Sequence, residues 1–492
     1  MVNSDYSIND MISEKTKRIT FKHFSETSSK GAPLNFKQHD DILSLGVGNP
    51  NPQHFPTKRI IIELDDYPFQ GNLFPEKEDK GNKVIIEREA TYPNNEGMDL
   101  ALQYGRDEGN KDLLSFVRNF VEKIHKPVYP DWSTVIDNGS ADGLSKAAYT
   151  LINEGDIVLV EEFTFSPFFS RISNNGGIAL PVKLDFDKNA DIDLHFLHDL
   201  LENWDEKYPE YKGKKPKAFY TIPAGQNPTG ITQSLETRKK IYALASKHNF
   251  VIIEDDPYGY LALPPLSKPK DSNLSDEVIT SEKFFKRYTI PSYLHLDTEG
   301  RVIRIETFSK VFAPGIRLGF IVAPSPYIEA INKYSCVTHR AASGLSQLIL
   351  NNIISQKFNG IEGWLEWIAK MITVYTHRRN VLIYEIVELE AYKKGFISLI
   401  SCDTGMFAAL RINLPKEVDY IKKLDLLNFK FLQYGVNVVL GYKMAADVEF
   451  SRDNLNFIRV CFASLDDDKK LITAGKRLSQ AVNDFFENNL EY

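Results

Sequence analysis

The sequence predicts an α/β fold: a large domain with a mostly parallel sheet flanked by helices, joined to a smaller α/β domain. Two observations carry this reading. Short, nearly continuous apolar runs alternate with segments of helical periodicity through the middle of the chain, the pattern of strands covered on both faces. The length of 492 residues also exceeds what one ordinary core accommodates. The expected division is 1–95 for an N-terminal arm with part of the smaller domain, 96–345 for the large domain and 346–492 for the small C-terminal domain.

The elements follow in chain order. Residues 1–24 mix Asp5, Asp10 and Glu14 with Lys15, Lys17 and Arg18 and contain no apolar stretch, which fits neither a signal peptide nor an acid-poor transit peptide. Residues 157–160 (Ile-Val-Leu-Val), 218–222, 250–253, 302–307 and 318–322 read as buried strands. Between the second and third of these, residues 234–248 read as a helix capped by Ser234 or Thr232, with Leu235, Ile241, Tyr242 and Ala245 at helical spacing. The resulting strand–helix–strand unit places ligands outside the carboxyl ends of its strands. Polar stretches at 70–89, 264–300 and 442–456 read as surface insertions. Beyond about residue 345 the pattern changes to long amphipathic helices and a few short strands.

Composition narrows the class. With 42% hydrophobic and 25% charged residues the chain reads as a soluble globular protein. A net charge of −7 argues against nucleic-acid and membrane-surface partners, which call for a basic face. No run approaches the roughly 18 apolar residues of a membrane span. Cys336, Cys402 and Cys461 form neither a disulfide framework nor a metal-ligand spacing, so reduced thiols, no metal and a cytoplasmic location are expected. The C-terminus carries no retention or peroxisomal address.

The densest chemistry lies in Thr307-Phe308-Ser309-Lys310-Val311-Phe312-Ala313-Pro314-Gly315-Ile316-Arg317-Leu318-Gly319. A lysine just past a strand is often only a surface group. Here, however, the hydroxyls of Thr307 and Ser309 and the planar fork of Arg317 offer a phosphate clamp, and a neighbouring cation helps to depress an amine's pKa. Gly139-Ser140-Ala141 precede a helical stretch from Leu144 to Leu151, so backbone N–H groups and the Ser140 hydroxyl would face an anion there. A plain helix cap is the competing reading.

Taken together, four segments resemble the class I and II aminotransferases of fold type I: Asn138 to Leu144, Tyr220 to Gly230 with its Asn227-Pro228-Thr229-Gly230, Ile252 to Tyr258, and the Lys310 segment. They stand in that family's order. The resemblance implies the pyridoxal-phosphate (PLP) transferase fold and a cofactor held as a Schiff base on Lys310, which would also move the substrate's proton. It implies that Asp255, rather than Glu254 or Asp256, meets the ring nitrogen; strand alternation by itself says only that one face can do so. Asn227 and Tyr258 would hold the ring's phenolic oxygen, and Ser140, Ala141, Thr307, Ser309 and Arg317 the phosphate. Phe165 would stack on the ring, although core packing is the other reading of any one phenylalanine.

The same resemblance assigns substrate contacts. Arg459, within the apolar run from Asn456 to Ala463, would pair with the α-carboxylate through its bidentate fork; an unpaired arginine in such a run is costly. Asn227 would share that task. Tyr104 would reach the cofactor phosphate of a neighbouring subunit, implying a homodimer with shared sites. Residues 42–52, with Gly48 against substrate, resemble the substrate-covering arm of the kynurenine/α-aminoadipate group, although Gly46-Val47-Gly48-Asn49-Pro50 departs from the more common Gly-Gly-Leu-Pro. Length and the insertion before Leu296 most resemble fungal aromatic aminotransferases. These act on phenylalanine, tyrosine or tryptophan with a 2-oxo acid such as 2-oxoglutarate, by a ping-pong path. Alternatives are broad α-aminoadipate or kynurenine transamination, another PLP enzyme on this scaffold, and the effector domain of a transcription regulator. For the last, the N-terminal region leaves no room for a winged helix.

Overall fold

The computed structural model describes residues 6–20, 32–43, 45, 48–64, 83–90, 96–187, 190–269 and 290–492. Its strands begin with a hairpin of β1 (Arg59–Glu63) and β2 (Lys83–Glu87), followed by β3 (Trp132–Asp137), β4 (Ile157–Glu161) and β5 (Ile178–Val182). A two-residue pair, β6 (Leu184–Asp185) and β7 (Asp191–Ile192), precedes β8 (Pro216–Thr221), β9 (Val251–Asp255), β10 (Val302–Thr307) and β11 (Gly319–Pro324). The smaller sheet comprises β12 (Ile397–Ser401), β13 (Phe407–Ile412), β14 (Val439–Leu440) and β15 (Phe457–Cys461).

Seven strands form the central sheet in the order β3-β11-β10-β9-β8-β4-β5. All run parallel except β11, which is antiparallel to both β10 and β3. Every residue of β4, β9, β10 and β11 is buried, as the uninterrupted apolar runs require of a sheet covered on both faces. The chain moves outward from β4 to β5 and then returns past β4 to β8, so its winding direction reverses between those neighbours. In doubly wound sheets the ligand crevice opens at the carboxyl ends beside such a reversal. Glu161, Thr221, Asp255 and Thr307 occupy the ends of β4, β8, β9 and β10.

The predicted central helix is Leu235–His248, and its cap is Ser234, whose side chain accepts from Thr237 N. The C-terminal part has the expected mixture: an antiparallel sheet ordered β12-β13-β15-β14, covered by Ile361–Glu388, Tyr420–Gln433 and Asp468–Glu487. At the other end of the chain, Met11 and Ile12 pack with Leu151 and Ile152, which sets the first described residues against the central sheet's helices. All three cysteines are free, and no helix among the described residues is long and apolar enough to cross a membrane.

The three expected surface insertions need correction. Within 70–89, residues 70–82 lie outside the described set, but Lys83–Glu87 is a strand paired with Arg59–Glu63 whose Val84 and Ile86 are buried. Within 264–300 the tail from Ser292 onward is largely built into the core, with Ser292, Tyr293, Leu294, Asp297 and Gly300 buried. Ser292 Oγ and Tyr293 N donate to Glu254, and Asp297 accepts from the backbone N–H groups of Gly300, Arg301 and Val302. Within 442–456, Met444 O accepts from Thr164 N and Asn454 donates to the buried Glu162. In the second and third stretches, polar residues that suggested solvent instead satisfy buried backbone and carboxylates.

Candidate active site

Asp255 closes β9 at the mouth of the crevice. Its neighbours face the other way: Arg304, fully buried on β10, pairs with Glu254 Oε1 at 2.9 Å and Asp256 Oδ2 at 2.7 Å. Strand alternation thus leaves one carboxylate of the three on the opposite face. There Tyr220 Oη donates to Asp255 Oδ2 at 2.8 Å, while Oδ1 is buried without a partner among the described residues. Burial pushes the Asp255 carboxyl up to about 7; the Tyr220 bond opposes this and the Asp256 charge adds to it.

Lys310 stands just beyond β10, half-buried, and its amine has no hydrogen-bond partner among the described residues. Burial holds its pKa below the usual lysine range. Cys461 opposes that shift, and the positive charges of Arg317 and Arg459 reinforce it. The amine therefore sits in reach of both β15 and the arginine turn.

A cup for an anion lies at the start of helix Ser140–Leu151, which begins four residues before the expected Leu144. Ser140 and Ala141 accordingly occupy its first turn, where N–H groups are free of intrahelical partners. Gly139, the cap, has φ +86°, a backbone conformation that favours glycine, and a Cβ on it would lie 2.5 Å from Arg317 Nη2 and push that guanidinium aside. Arg317 donates to Asn138 O at 2.9 Å and to Pro314 O at 3.0 Å. Thr307 Oγ1 donates to Ser309 Oγ at 2.8 Å on the same turn.

Across the crevice, Arg459 projects from β15 over the ring of Phe407, 4.2 Å from its centroid, and donates to Asn227 Oδ1 at 2.5 Å. Among the described residues it has no carboxylate partner. Asn227 is buried in a loop anchored by its neighbour: Gln226 Nε2 donates to Glu161, and Gln226 Oε1 accepts from Thr229. Tyr258 is buried, its ring edge-on to Phe407, and its hydroxyl lies within electrostatic range of both Asp255 and Arg459. Phe165 is half-buried after β4, and its segment is pinned by the bond from Thr164 N to Met444 O.

Two predicted residues are exposed in the single chain. Tyr104 is 69% exposed. Gly48 is exposed, with nothing within 4 Å of where a Cβ would stand, and Ser44, Gly46 and Val47 of the same arm lie outside the described residues. Two others were not assigned a role from sequence. Tyr220 was quoted only as part of its loop, although a tyrosine in a buried strand needs a partner for its hydroxyl. Cys461 lies two residues beyond Arg459, hence on the same face of β15.

The sequence profile of the class I and II aminotransferases matches residues 77–473; the chain belongs to that family. It is similar to a solved aromatic aminotransferase, Aro9 of Candida albicans, at 48% identity and a TM-score of 0.90, covering 98% of this chain and 99% of that one. The aromatic amino acid aminotransferase 2 of Saccharomyces cerevisiae is 35% identical, covering 91% of each chain. The kynurenine/alpha-aminoadipate aminotransferase of Bos taurus is 29% identical, covering 79% of this chain and 80% of the bovine one.

Proposed function

We propose that this chain transfers the amino group of aromatic amino acids to a 2-oxo acid, using pyridoxal phosphate. The observation that carries the cofactor is Asp255: a fully buried carboxylate with one unpartnered oxygen among the described residues, at the carboxyl end of β9, next to the strand β10 that leads into Lys310. Such an oxygen fits a protonated ring nitrogen. The cup formed by Gly139, Ser140, Ala141, Thr307, Ser309 and Arg317 fits a phosphate.

When bound, the cofactor supplies the electron sink that lets an α-proton leave as a proton. The rest falls to the protein. Lys310, whose amine is made easier to deprotonate by burial and by the nearby arginines, would be the nucleophile that holds the cofactor and the base that moves the α-proton. Asp255 holds the proton on the ring nitrogen. Tyr258 and Asn227 position the phenolic oxygen, and Phe165 covers one ring face. Arg459 takes the α-carboxylate, kept in place by Asn227. Both half-reactions use one set of residues, which is the ping-pong arrangement.

The substrate class rests on similarity to two aromatic aminotransferases. A panel of amino acids presented to the loaded enzyme without acceptor, followed by the cofactor's absorbance change, tests it. Phenylalanine, tyrosine and tryptophan should react fastest; if kynurenine or α-aminoadipate lead instead, the aromatic assignment gives way to the bovine relative's type. We further propose a homodimer with Tyr104 completing the partner's phosphate site, the domain division given above with a Gly48 arm over substrate, and a cytoplasmic location.

A further inference from the structure

Tyr220 and Asp255 meet across adjacent parallel strands whose register sets Tyr220 beside Ile253. Tyr220 is fully buried, its ring stacked on Phe168 with centroids 4.0 Å apart. Its hydroxyl has one protein partner among the described residues, Asp255 Oδ2 at 2.8 Å. The two oxygens of Asp255 are therefore unlike: one accepts from Tyr220, and the other has no partner among the described residues.

We infer that Tyr220 is a positioning residue that favours the ionised form of Asp255 and keeps it turned so that Oδ1 alone faces the cofactor's ring nitrogen. The inference rests on the proposed role of Asp255. The physical argument concerns an anion in a dry site. A buried carboxylate favours its neutral form unless a donor stabilises the charge, and hydrogen bonds to the charged form oppose that preference. Burial raises the Asp255 carboxyl, and the donor that most opposes it is Tyr220. The other charges that bear on Asp255 are Asp256, which disfavours its ionisation, and Arg171 and Arg304, which favour it. Arg304 is already shared among Glu254, Asp256 and Glu306, and Arg171 is engaged with Ser145 Oγ and Pro167 O. Tyr220 is thus the direct donor to this carboxylate among the described residues. Its own ionisation is suppressed by burial and by the Asp255 charge, so it stays a donor throughout the working pH range. The Phe168 stack fixes the ring and hence the direction of the O–H.

The test is a double-mutant cycle on the affinity of the apoenzyme for pyridoxal phosphate, measured by titration across pH, with Tyr220→Phe, Asp255→Asn and the double variant. Tyr220→Phe retains the ring and its stack, and thermal unfolding checks that it folds. Loss of a hydrogen bond to a charged group should weaken binding by about ten- to a hundredfold, and the decline of affinity on the acid side should move to higher pH. In the Asp255→Asn background Tyr220→Phe should change affinity by less than about threefold. Equal losses from Tyr220→Phe in both backgrounds would overturn the inference, as would an unchanged acid limb. Should Asp255→Asn alone leave affinity and turnover intact, the reading of Asp255 itself fails, a result distinct from either. If Tyr220→Phe does not fold, Phe168→Leu, which frees the ring while keeping the hydroxyl, must show the same pH displacement or the inference is lost.

Discussion

The guanidinium of Arg459 donates from Nη1 to the side-chain oxygen of Asn227 at 2.5 Å, joining β15 of the smaller sheet to the loop that follows β8 of the central one. The bond spans 232 positions of sequence and leaves the rest of the guanidinium without a carboxylate among the described residues. A half-buried arginine whose neighbours are an amide oxygen and a phenylalanine face is held in place but not neutralised. Burial lowers its pKa, although an arginine stays charged at any working pH. A carboxylate arriving there meets a prepositioned fork.

Arg459→Ala should accordingly raise KM for phenylalanine, tyrosine and glutamate alike, since each brings an α-carboxylate. The expected loss in kcat/KM is about 2–5 kcal/mol, the range for truncating one side of a buried charge pair. Steady-state kinetics on the three substrates checks it; a loss confined to one of them would assign Arg459 to side-chain recognition instead.

Lys310→Ala should abolish turnover while leaving noncovalent cofactor binding, because cup and ring contacts do not involve the amine. Borohydride reduction of the loaded wild-type enzyme followed by peptide mapping should place the label on Lys310. A label on any other lysine removes the assignment.

Much of this site was legible because its chemistry is local in sequence. The strand expected at 302–307 is β10 to the residue, and the family resemblance selected Asp255, the carboxylate that Arg304 leaves over, where alternation by itself said only that one face could meet the ring. The hairpin partner Lys83–Glu87 was hidden because its buried positions number only two, Val84 and Ile86, among charged neighbours. The tail at Ser292 to Gly300 was misjudged because hydroxyls and carboxylates serving buried backbone look the same in sequence as those serving water. Tyr220 and Asp255 meet only through strand pairing, which a linear pattern does not reveal.

Stability of the cofactor-free protein should fall as pH rises from about 4 to about 7. Asp137, Glu162 and Asp255 each have a buried oxygen without a partner, and burial pushes each carboxyl up to about 7. In that window the unfolded chain has released these protons and the folded chain has not, so each pH unit removes up to about 1.4 kcal/mol per group. Glu306 acts in the opposite sense. Its carboxyl is held down at about 2 by Arg304 against the effect of burial, so its contribution is present above its ordinary value and lost as pH falls toward 2. Thermal unfolding from about pH 4 to about pH 8 should show the decline, and Glu162→Gln should flatten it by one group's share. A melting temperature that rises through this window would contradict the assignment.

Tyr104 is 69% exposed in the single chain, and its hydroxyl makes no hydrogen bond among the described residues. An exposed tyrosine is unremarkable by itself, but here its family position implies a phosphate contact that its own chain does not provide. If a second subunit supplies it, each site takes Lys310 from one chain and Tyr104 from the other, as twofold symmetry requires of an isologous dimer. Subunits carrying Lys310→Ala are inactive, and those carrying Tyr104→Ala should be strongly impaired through weakened cofactor binding. After exchange, a hybrid holds one site lacking both residues and one with both intact. Random mixing should thus restore roughly a quarter of wild-type activity, because half the dimers are hybrids and each has one competent site in two. Exchange is verified independently by tagging one parent and recovering mixed dimers. Confirmed hybrids no more active than their parents would return Tyr104 to the surface of its own chain, with no part in the neighbouring site.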